Sequence, residues 1–517
     1  MFENVALGFS ASLAPINILY CLVGVTLGTI VGVLPGLGPV SSIALLLPLT
    51  YKTNLLSAVI MLSGIYYGVQ YGGTITSVLM NIPGEASSVV TCIDGYQMAK
   101  KGRAGAALGI AAFGSFIAGT FGIVILMFLA PPLAKLALLM GPPEYTALMI
   151  TGLSLVIYLS GKSMVKSLMM GVLGLLLGTV GMDPISGQIR FGMGIKTLMD
   201  GFDLAPMAMG LFGLAEVFAL IESKDDTVGF LDVKTRLREI LPDRRDWKAS
   251  IFPITRGSVA GFLMGVLPGG GAVMASFISY AMEKRLSKHP EKFGTGAIEG
   301  VAGPESSNNS AAIGAFVPLL TLGIPANVVM ALLIGAFMIH GVNPGPLLLR
   351  DNPVLFWGII TSMYVGNLLL LILNVPLIGI FVKILKVPSE IMAPIITVIC
   401  FIGAYSINND VSGILFVILF GVMGYLMRKF KYDPAPLILA FVLGPLMENS
   451  LRQSMMLFRG DVSKVFERPV TIVFLAFALF LFLSPLLGKL LRRGVAAPLS
   501  RGEEDETRQG DSGKNRI

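Results

Sequence analysis

The sequence predicts an all-α polytopic integral membrane protein, with about 10–12 transmembrane helices plus broken or re-entrant helices in two inverted-topology repeats. Three observations carry this prediction. Hydrophobic residues make up 54% of the 517 residues, and the mean hydropathy is +0.79. Charged residues make up 13%, about half of the ~25% that soluble domains carry. Finally, proline-glycine motifs and loop charges in the first half of the chain recur in the second.

Apolar segments long enough to enter a membrane follow one another along the chain. In the first half they cover 13–34, 36–50, 54–82, 105–140, 144–160, 164–181 and 205–221. After a polar stretch they continue over 254–267, 270–282, 311–340, 354–385, 389–405, 411–427, 433–448 and 469–488. We therefore predict a first membrane repeat (1–221), a cytoplasmic polar connector (222–253), a second membrane repeat (254–491) and a charged, disordered C-terminal tail (492–517). Met1–Pro15 lacks a basic region, so we expect no cleavable signal peptide.

The duplication rests on matching motifs at matching places. GVLPGLG at Gly32–Gly38 corresponds to GVLPGGG at Gly265–Gly271, and NIPGEASSV at Asn81–Val89 corresponds to GIPANVVM at Gly323–Met330. Loops rich in Lys and Arg in one half match loops poor in them in the other, and rich and poor loops roughly alternate within each half. Because positively charged loops stay on the cytoplasmic side, the two halves are predicted to insert in opposite directions.

The proline-glycine motifs predict helix breaks at membrane depth. Pro35 and Pro268 lack an amide hydrogen, and the glycines that follow allow backbone angles closed to other residues. Broken helices of this kind bind ligands in secondary transporters, where the positive helix N-termini face anionic groups. The predicted site therefore includes these prolines, the glycines and the serines that follow, whose hydroxyls we expect to cap free amides: Pro35, Gly36, Gly38, Ser41, Ser42, Pro268, Gly269, Gly270, Gly271 and Ser276. The upstream pairs Gly28/Gly32 and Gly261/Gly265 indicate close helix packing instead.

Polar residues accompany a second pair of breaks. Asn81 and Glu85 lie with several hydroxyls around Pro83–Gly84, and Glu305 opens a polar run that ends at Ser310. Neutral donors and acceptors can bind a carboxylate or a desolvated cation, although a polar loop at the membrane surface is the alternative. We predict substrate or ion binding for Thr74, Thr76, Ser77, Ser306, Ser307, Asn308 and Asn309. Glu216 lies in an apolar segment, where it could carry a proton or simply face the interface. Glu144 follows a proline, and there a carboxylate at a helix start is ordinary dipole compensation.

Several function classes are disfavoured. The three cysteines are isolated and indicate packing, and His289 and His340 are too few for a metal site, so we expect no metal and no cofactor. No nucleotide-binding lysine follows the glycine motifs, and an intramembrane enzyme would need a nucleophile or metal set that is not evident. The net charge of +7 is scattered through short loops, which argues against nucleic acid. We therefore expect no enzyme activity.

The motifs together resemble a known family. YGGTITSVLMNIPGEASSVVTCIDGYQMAKKGRAGAALG, EGVAGPESSNNSAAIGAFVPLLTLGIP and the two GVLPG motifs are similar to the large membrane subunit of the bacterial tripartite tricarboxylate transporters, from about Ile18 to about Leu491. The resemblance implies uptake of a tricarboxylate or related organic carboxylate across the bacterial inner membrane. It implies two partners, a small membrane subunit and a periplasmic binding protein, with Na⁺ or H⁺ as the coupling ion. Alternating access is the expected mechanism, and a channel-like anion pore is the alternative.

Overall fold

The computed structural model describes residues 2–34, 37–159, 163–183, 185–222, 237–384 and 389–496. In the first half the helices are α1 (Phe2–Ser12), α2 (Pro15–Val33), α3 (Pro39–Leu46), α4 (Leu55–Met80), α5 (Val89–Lys100), α6 (Ala104–Ala137), α7 (Pro142–Leu159), α8 (Met164–Gly178), α9 (Leu204–Ala208) and α10 (Ala215–Glu222). A π-helical segment, Met209–Leu214, joins α9 to α10. Two short antiparallel strands, β1 (Gly181–Met182) and β2 (Ile189–Arg190), pair after α8.

The second half repeats this order with small differences. Its helices are α11 (Leu237–Ile240), α12 (Arg244–Val266), α13 (Gly271–Leu286), α14 (Glu299–Gly314), α15 (Phe316–Leu322), α16 (Val328–Ile339), α17 (Leu348–Asp351), α18 (Pro353–Asn374), α19 (Ile378–Ile384), α20 (Ser389–Asn408), α21 (Ser412–Lys429), α22 (Ala435–Leu457) and α23 (Pro469–Ala496). Short 3-10 helices cover Leu47–Thr50, Ala86–Ser88, Lys196–Leu198, Pro290–Lys292 and Val462–Glu467. Thus α12 begins inside the predicted connector. Residues 223–236 of that connector and residues 497–517, which are most of the predicted tail, lie outside the described residues.

Seven of the described helices are long and apolar enough to cross a membrane, and five shorter apolar helices accompany them. The predicted all-α, polytopic architecture is therefore confirmed. The start of α12 shows why a helix can begin in a polar stretch. The Asp243 side chain accepts hydrogen bonds from the amides of Arg245 and Asp246, both 2.7 Å away, and so satisfies two donors of the first turn.

Glycines hold α2 against α4 in the first half and α12 against α14 in the second. A Cβ on Gly28 or Gly32 of α2 would lie 2.5 or 2.4 Å from the carbonyl oxygens of Ile65 and Val69 in α4. The same arrangement joins α12 to α14, where Gly261 and Gly265 face the carbonyl oxygens of Ser307 and Ala311, both 2.1 Å from the added Cβ. Such approach is possible only without a side chain, so the predicted packing role of these pairs is confirmed. In each pair, a later residue of the first helix contacts a later residue of the second, so the two helices run parallel.

The two halves run in opposite directions. The imidazole Nε2 of His340, just after α16, lies 3.1 Å from the carbonyl oxygen of Thr53, just before α4. The Asp94 carboxylate in α5 accepts hydrogen bonds from the amides of Gly296 and Ala297, just before α14. Helices α4 and α14 therefore begin on opposite faces, which makes the repeat inverted. We call the face where α5 ends and α14 begins the connector face, and the other one the far face.

We expect Gly265→Ala to lower the thermal stability of the purified protein by several degrees. A methyl group there would overlap the Ala311 backbone at 2.1 Å, so α12 and α14 must separate. Gly152→Ala is the matched control. It is also a helical glycine, but its added Cβ would lie 3.8 Å from Pro268, an ordinary contact. Equal melting temperatures for the two variants would contradict this packing.

Candidate functional site: a cavity at the helix breaks

Both proline-glycine motifs interrupt helices, as predicted. Helix α2 ends at Val33 and α3 begins at Pro39; Pro35 and Gly36 lie outside the described residues. Helix α12 ends at Val266 and α13 begins at Gly271. Since α2 and the later α4 are parallel, the chain between them returns to the face it came from. Helices α2 and α3, and likewise α12 and α13, thus each form a hairpin that enters the protein and turns back.

The tip of the second hairpin binds the second break of the same repeat. The amide of Gly269 donates a hydrogen bond to the carbonyl oxygen of Ala326, 2.8 Å away, and the amide of Gly270 donates to Leu267 at 3.0 Å. Gly269 and Gly271 have φ angles of +79° and +56°, which favour glycine. Gly269, which the sequence places in the predicted site, therefore has no free amide for an anion in this structure, because the carbonyl oxygen of Ala326 accepts its hydrogen.

The serines after the breaks do not cap amides. Ser42 Oγ donates to the carbonyl oxygen of Gly38 at 2.6 Å, and Ser276 Oγ donates to that of Ala272 at 2.8 Å. Ser41 Oγ donates across to Phe212 at 3.2 Å. All three lie one turn inside their helices, where a hydroxyl meets the carbonyl four residues back or a neighbouring helix. The capping prediction is wrong, and the first amides of α3 and α13 have no side-chain cap.

A cavity of about 490 Å³ lies where both breaks of the first repeat meet. One wall is Gly38–Ser41 at the start of α3, and another is Pro83–Ala86 ahead of α5. Pro434 at the start of α22 and Val273 in the first turn of α13 also line it. The remaining lining residues are Leu211, Phe212, Ala215, Glu216, Gly424, Arg428 and Tyr432. The starts of α3 and α22 and the first turn of α13 therefore border one space, and helix N-termini favour anions.

Arg428 supplies the positive side chain of the cavity. It lies in the last turn of α21, is 57% exposed and forms an ion pair with Glu216 of α10. It is the one Lys or Arg among the described residues that line the cavity. A guanidinium has five donors in a planar fork, so its pairing with Glu216 leaves donors for a carboxylate ligand. Glu216, considered above as a proton carrier, is thus the partner of Arg428 and helps to place it.

A second polar cluster lies beside the cavity, fully inside the protein. Thr74 Oγ1 of α4 donates to Glu305 Oε2 of α14 at 2.7 Å, and Asn308 Nδ2 donates to the same oxygen at 3.3 Å. Thr91 Oγ1 of α5 donates to Glu305 Oε1. Asn309 Nδ2 donates to Ser115 Oγ of α6 at 2.8 Å. We call Thr74, Thr91, Ser115, Glu305, Asn308 and Asn309 the Glu305 cluster; it joins four helices from both repeats.

The other predicted residues hold the breaks in place. Thr76 Oγ1 donates to the carbonyl oxygen of Val33, at the end of α2, at 2.7 Å. Ser77 Oγ donates to Ser88 Oγ at 2.9 Å across the Pro83–Gly84 break, and Ser307 Oγ donates to Ala275 at 2.9 Å. The buried hydroxyl of Ser306 has no partner among the described residues. Pro268 packs near Gly152 and Gly269 near Val156, so the second hairpin tip lies against α7.

The structure adds residues that the sequence prediction missed. Arg428 follows an apolar run, where a basic residue usually marks a membrane boundary, so its sequence position gave no signal. Thr91 and Ser115 are single hydroxyls in helices and became part of the cluster only through long-range packing. Glu85 and Glu305 stood inside the quoted motifs but were not included in the predicted site. Glu144 behaves as predicted, since its Oε2 accepts a hydrogen bond of 2.8 Å from the amide of Gly141 at the start of α7.

A second cavity, of about 370 Å³, opens near the far face and is lined by Tyr51, Leu204 and Ile339. Arg452 there pairs with Asp183 at 3.1 Å and with Glu448 at 2.6 Å. Hydrogen bonds from Ser186 and the Ile185 amide, with Arg452, lower the pKa of Asp183 to about 2, so it stays ionised at neutral pH. Arg190 also lines this cavity, but four carboxylates line it as well: Asp183, Asp200, Asp203 and Glu448. Because these outnumber the two arginines, we regard this cavity as a weaker anion site than the one beside Arg428.

Comparison with known proteins gives a consistent result. The family model described as "Tripartite tricarboxylate transporter TctA family" matches residues 18–439. A protein of Agrobacterium vitis described as an uncharacterized 52.8 kDa protein in the TAR-I ttuC' 3' region is 52% identical over 479 residues, 93% of this chain and 95% of the relative. A second protein of that organism, from the TAR-II ttuC' 3' region, is 53% identical over 227 residues, 44% of this chain and 94% of the relative. No solved structure matches.

Proposed function

The chain belongs to the tripartite tricarboxylate transporter TctA family, and from this membership and the site geometry we propose that it is a secondary carboxylate permease. Family membership makes it a multi-pass transporter component. The finer proposal is ion-gradient-driven uptake of an organic carboxylate across the bacterial inner membrane, by alternating access. A small membrane subunit and a periplasmic binding protein are its proposed partners.

One observation carries the choice of site: the cavity of about 490 Å³ brings the breaks of the first repeat to a single arginine. The uncapped start of α3 offers backbone amides, and Arg428 offers a planar pair of donors that matches a carboxylate. A bilayer contains few anion-stabilising groups, so a membrane-embedded cavity with both features is suited to a carboxylate. Helix breaks at such a place are tolerated because they line a cavity.

The basic residues give the proposed orientation. Among the described residues, those on the connector face include Lys100, Lys101, Arg103, Lys166, Arg244, Arg245, Lys248, Arg256, Lys284, Arg285, Lys288, Lys292, Arg428, Lys429 and Lys431. On the far face they are Lys52, Lys135, Arg190, Lys196, Arg350, Arg452, Arg459, Lys464 and Arg468. The excess favours a cytoplasmic connector face. The cavity beside Arg428 would then face the cytoplasm, and the second hairpin would approach from the cytoplasm.

Transport by the reconstituted complex tests the proposal. The chain, its small subunit and its binding protein are placed in liposomes with labelled citrate, succinate or acetate, under imposed proton or sodium gradients. We expect accumulation of at least one di- or tricarboxylate, and counterflow when unlabelled substrate is preloaded. Counterflow separates a carrier from a channel. Uptake that never exceeds equilibration under any gradient, or no uptake of the three acids, would overturn the proposal.

Filling the cavity should stop transport. We expect Val273→Trp to reduce uptake by more than about tenfold, because an indole occupies space that the substrate needs. Ile278→Trp is the matched control, since Ile278 lies on the same helix, is similarly exposed at 39% and does not line the cavity. Both are measured as initial uptake rates at equal amounts of inserted protein. Similar rates for the two variants would place the substrate elsewhere.

A further inference from the structure

Glu305 is a buried carboxylate without a cationic partner. It lies in the middle of α14 and is 0% exposed. Its three hydrogen-bond donors, Thr74, Thr91 and Asn308, are neutral. Within the described part of the chain, no Lys, Arg or His forms an ion pair with it. An ionised carboxylate in such a place is costly, and an intramembrane carboxylate is neutralised by a bound cation or a proton.

None of the charged groups described on the neighbouring helices forms an ion pair with Glu305. On α5, Asp94 accepts from backbone amides and from the Tyr280 hydroxyl of α13. Arg256 of α12 pairs with Glu283 of α13 at 2.5 Å. The remaining titratable groups on the elements packed against α14 are Tyr66, Tyr67, Tyr71, Glu85, Cys92, Tyr96, Lys100, Lys135, Arg244, Arg245, Asp246, Lys248, Lys284, Arg285 and, on α14 itself, Glu299. Asp246 pairs with Arg103, and the lysines of α6, α12 and α13 are exposed near helix ends.

Thr74 can serve both protonation states of Glu305. Its Oγ1 lies 2.7 Å from Glu305 Oε2 and 3.3 Å from the carbonyl oxygen of Gln70. When Glu305 is ionised, the threonine hydroxyl donates to the carboxylate. When Glu305 is protonated, the hydroxyl can turn to Gln70 and accept the proton of the carboxylic acid. No helix has to move for the exchange.

A water-sized space adjoins the cluster. A cavity of about 10 Å³ is lined by Thr74, Ser115 and Asn374, which is close to the size that one water needs. The buried Asn374 Oδ1 has no hydrogen-bond partner among the described residues. An acceptor without a partner at this place calls for a donor such as a water or a hydronium ion. The space thus places a water-sized site next to Thr74 and Ser115 of the Glu305 cluster.

Contacts join the Glu305 cluster to the substrate cavity. Glu85 lines that cavity. The single hydroxyl hydrogen of Ser87 can be donated either to the Glu85 carboxylate or to Gln70 Oε1, which lies 2.6 Å away. The Cγ of Glu85 lies 2.9 Å from where Gly73 would carry a Cβ, one residue before Thr74. Movement at the Pro83–Gly84 break would therefore reach Thr74 through one turn of α4. The two sites are therefore linked by packing and not by a chain of side-chain hydrogen bonds, because Gln70 contacts Thr74 through its backbone carbonyl oxygen.

We propose that Glu305 carries the coupling proton: it is protonated and deprotonated in each transport cycle within the buried Thr74–Thr91–Asn308 cluster. This inference rests on the proposed function, since a coupling site presupposes transport. The proton comes from one side of the membrane and binds to a carboxylate oxygen of Glu305. It is later released from the same carboxyl group to the other side.

The test uses Glu305→Gln in the reconstituted complex, with labelled citrate as the probe and succinate where citrate is not carried. We expect accumulation driven by a proton gradient to fall by more than about tenfold, while counterflow without a gradient persists. Glu299→Gln, in the first turn of the same helix, is the matched control and should accumulate substrate like the wild type. Proton-driven accumulation by Glu305→Gln at the wild-type level would overturn the inference, as would wild-type accumulation driven by sodium but not by protons. Absence of any carboxylate transport in the wild type would instead refute the proposed function, and the inference with it.

A spectroscopic measurement covers the case in which Glu305→Gln does not fold. Infrared difference spectra of the wild type are recorded as the pH is lowered. We expect the wild-type spectra to show the carbonyl stretch of a protonated carboxylic acid in a dry environment. In Thr74→Val this band should not appear at the same frequency, because the hydrogen bond between Thr74 and Glu305 is lost. A spectrum without any such band across the pH range in which transport operates would overturn the inference.

Discussion

Arg428→Gln is expected to reduce carboxylate uptake by about 10- to 100-fold while leaving the amount of inserted protein unchanged. Charge-assisted hydrogen bonds contribute about 1.5–3 kcal/mol each, and about 1.4 kcal/mol corresponds to a factor of ten. Arg428 is 57% exposed, so its removal leaves no large void. The effect is measured as initial uptake at several substrate concentrations.

Two controls separate ligand binding from a general charge effect. Lys429→Gln removes the next residue, which pairs with Glu222 at 3.4 Å and does not line the cavity; we expect uptake close to the wild type. The second control is the double variant Glu216→Gln/Arg428→Gln, in which Glu216, the carboxylate that loses its ion-pair partner, is replaced by a neutral side chain. If the defect of Arg428→Gln came only from repulsion by Glu216, this double variant would regain uptake. Our account predicts that it remains impaired.

Asp94→Ala is expected to have the largest effect on stability, about 5 kcal/mol. The buried Asp94 carboxylate accepts hydrogen bonds from the amides of Gly294 (2.9 Å), Gly296 (2.7 Å) and Ala297 (2.8 Å) and from the Tyr280 hydroxyl (2.8 Å). Its removal leaves these donors without an acceptor. The substitution also removes the hydrogen bonds that hold α5 of the first repeat against the loop before α14. The apparent melting temperature in detergent should fall by about 10 °C.

The stability prediction also has a graded control. Asp94→Asn keeps one acceptor oxygen and should lie between the wild type and Asp94→Ala. Asp351→Ala removes an exposed aspartate whose partner is the adjacent Arg350, and it should leave the melting temperature within about 1 °C. A loss for Asp94→Ala no greater than that for Asp351→Ala would contradict the role of Asp94 as the anchor of this loop.

The sequence was sufficient for the architecture because its signals are local. Hydropathy placed the helices, proline and glycine placed the breaks, and the paired motifs with the alternating loop charges predicted the inverted repeat. The close approach of Gly265 to Ala311 follows from the spacing of small residues. The start of α12 at Arg244 did not follow from hydropathy, because its first turns are polar and are set by the Asp243 cap.

The site was predicted only in part, because it depends on contacts between distant segments. The breaks were found, yet which of their groups are free depends on partners far away in the chain. The carbonyl oxygen of Ala326 accepts a hydrogen bond from the amide of Gly269. The carbonyl oxygen of Phe212 accepts one from the hydroxyl of Ser41. Arg428 reaches the cavity because α21 packs beside the helix formed by α9 and α10, and no short pattern encodes that packing. The Glu305 cluster likewise needs α4, α5, α6 and α14 together.

Substrate protection of a cysteine at Ala86 tests the central claim most directly. Ala86 is exposed and lines the cavity beside Arg428. Ala86→Cys is placed in a background in which Cys21, Cys92 and Cys400 are alanine, and labelling by a charged thiol reagent is timed with and without the transported carboxylate. Leu139→Cys, 83% exposed on the far face, is the control. Our account predicts that the substrate slows labelling at position 86 severalfold and leaves position 139 unchanged. Equal labelling at position 86 with and without substrate, in a variant that transports, would contradict the cavity as the binding site.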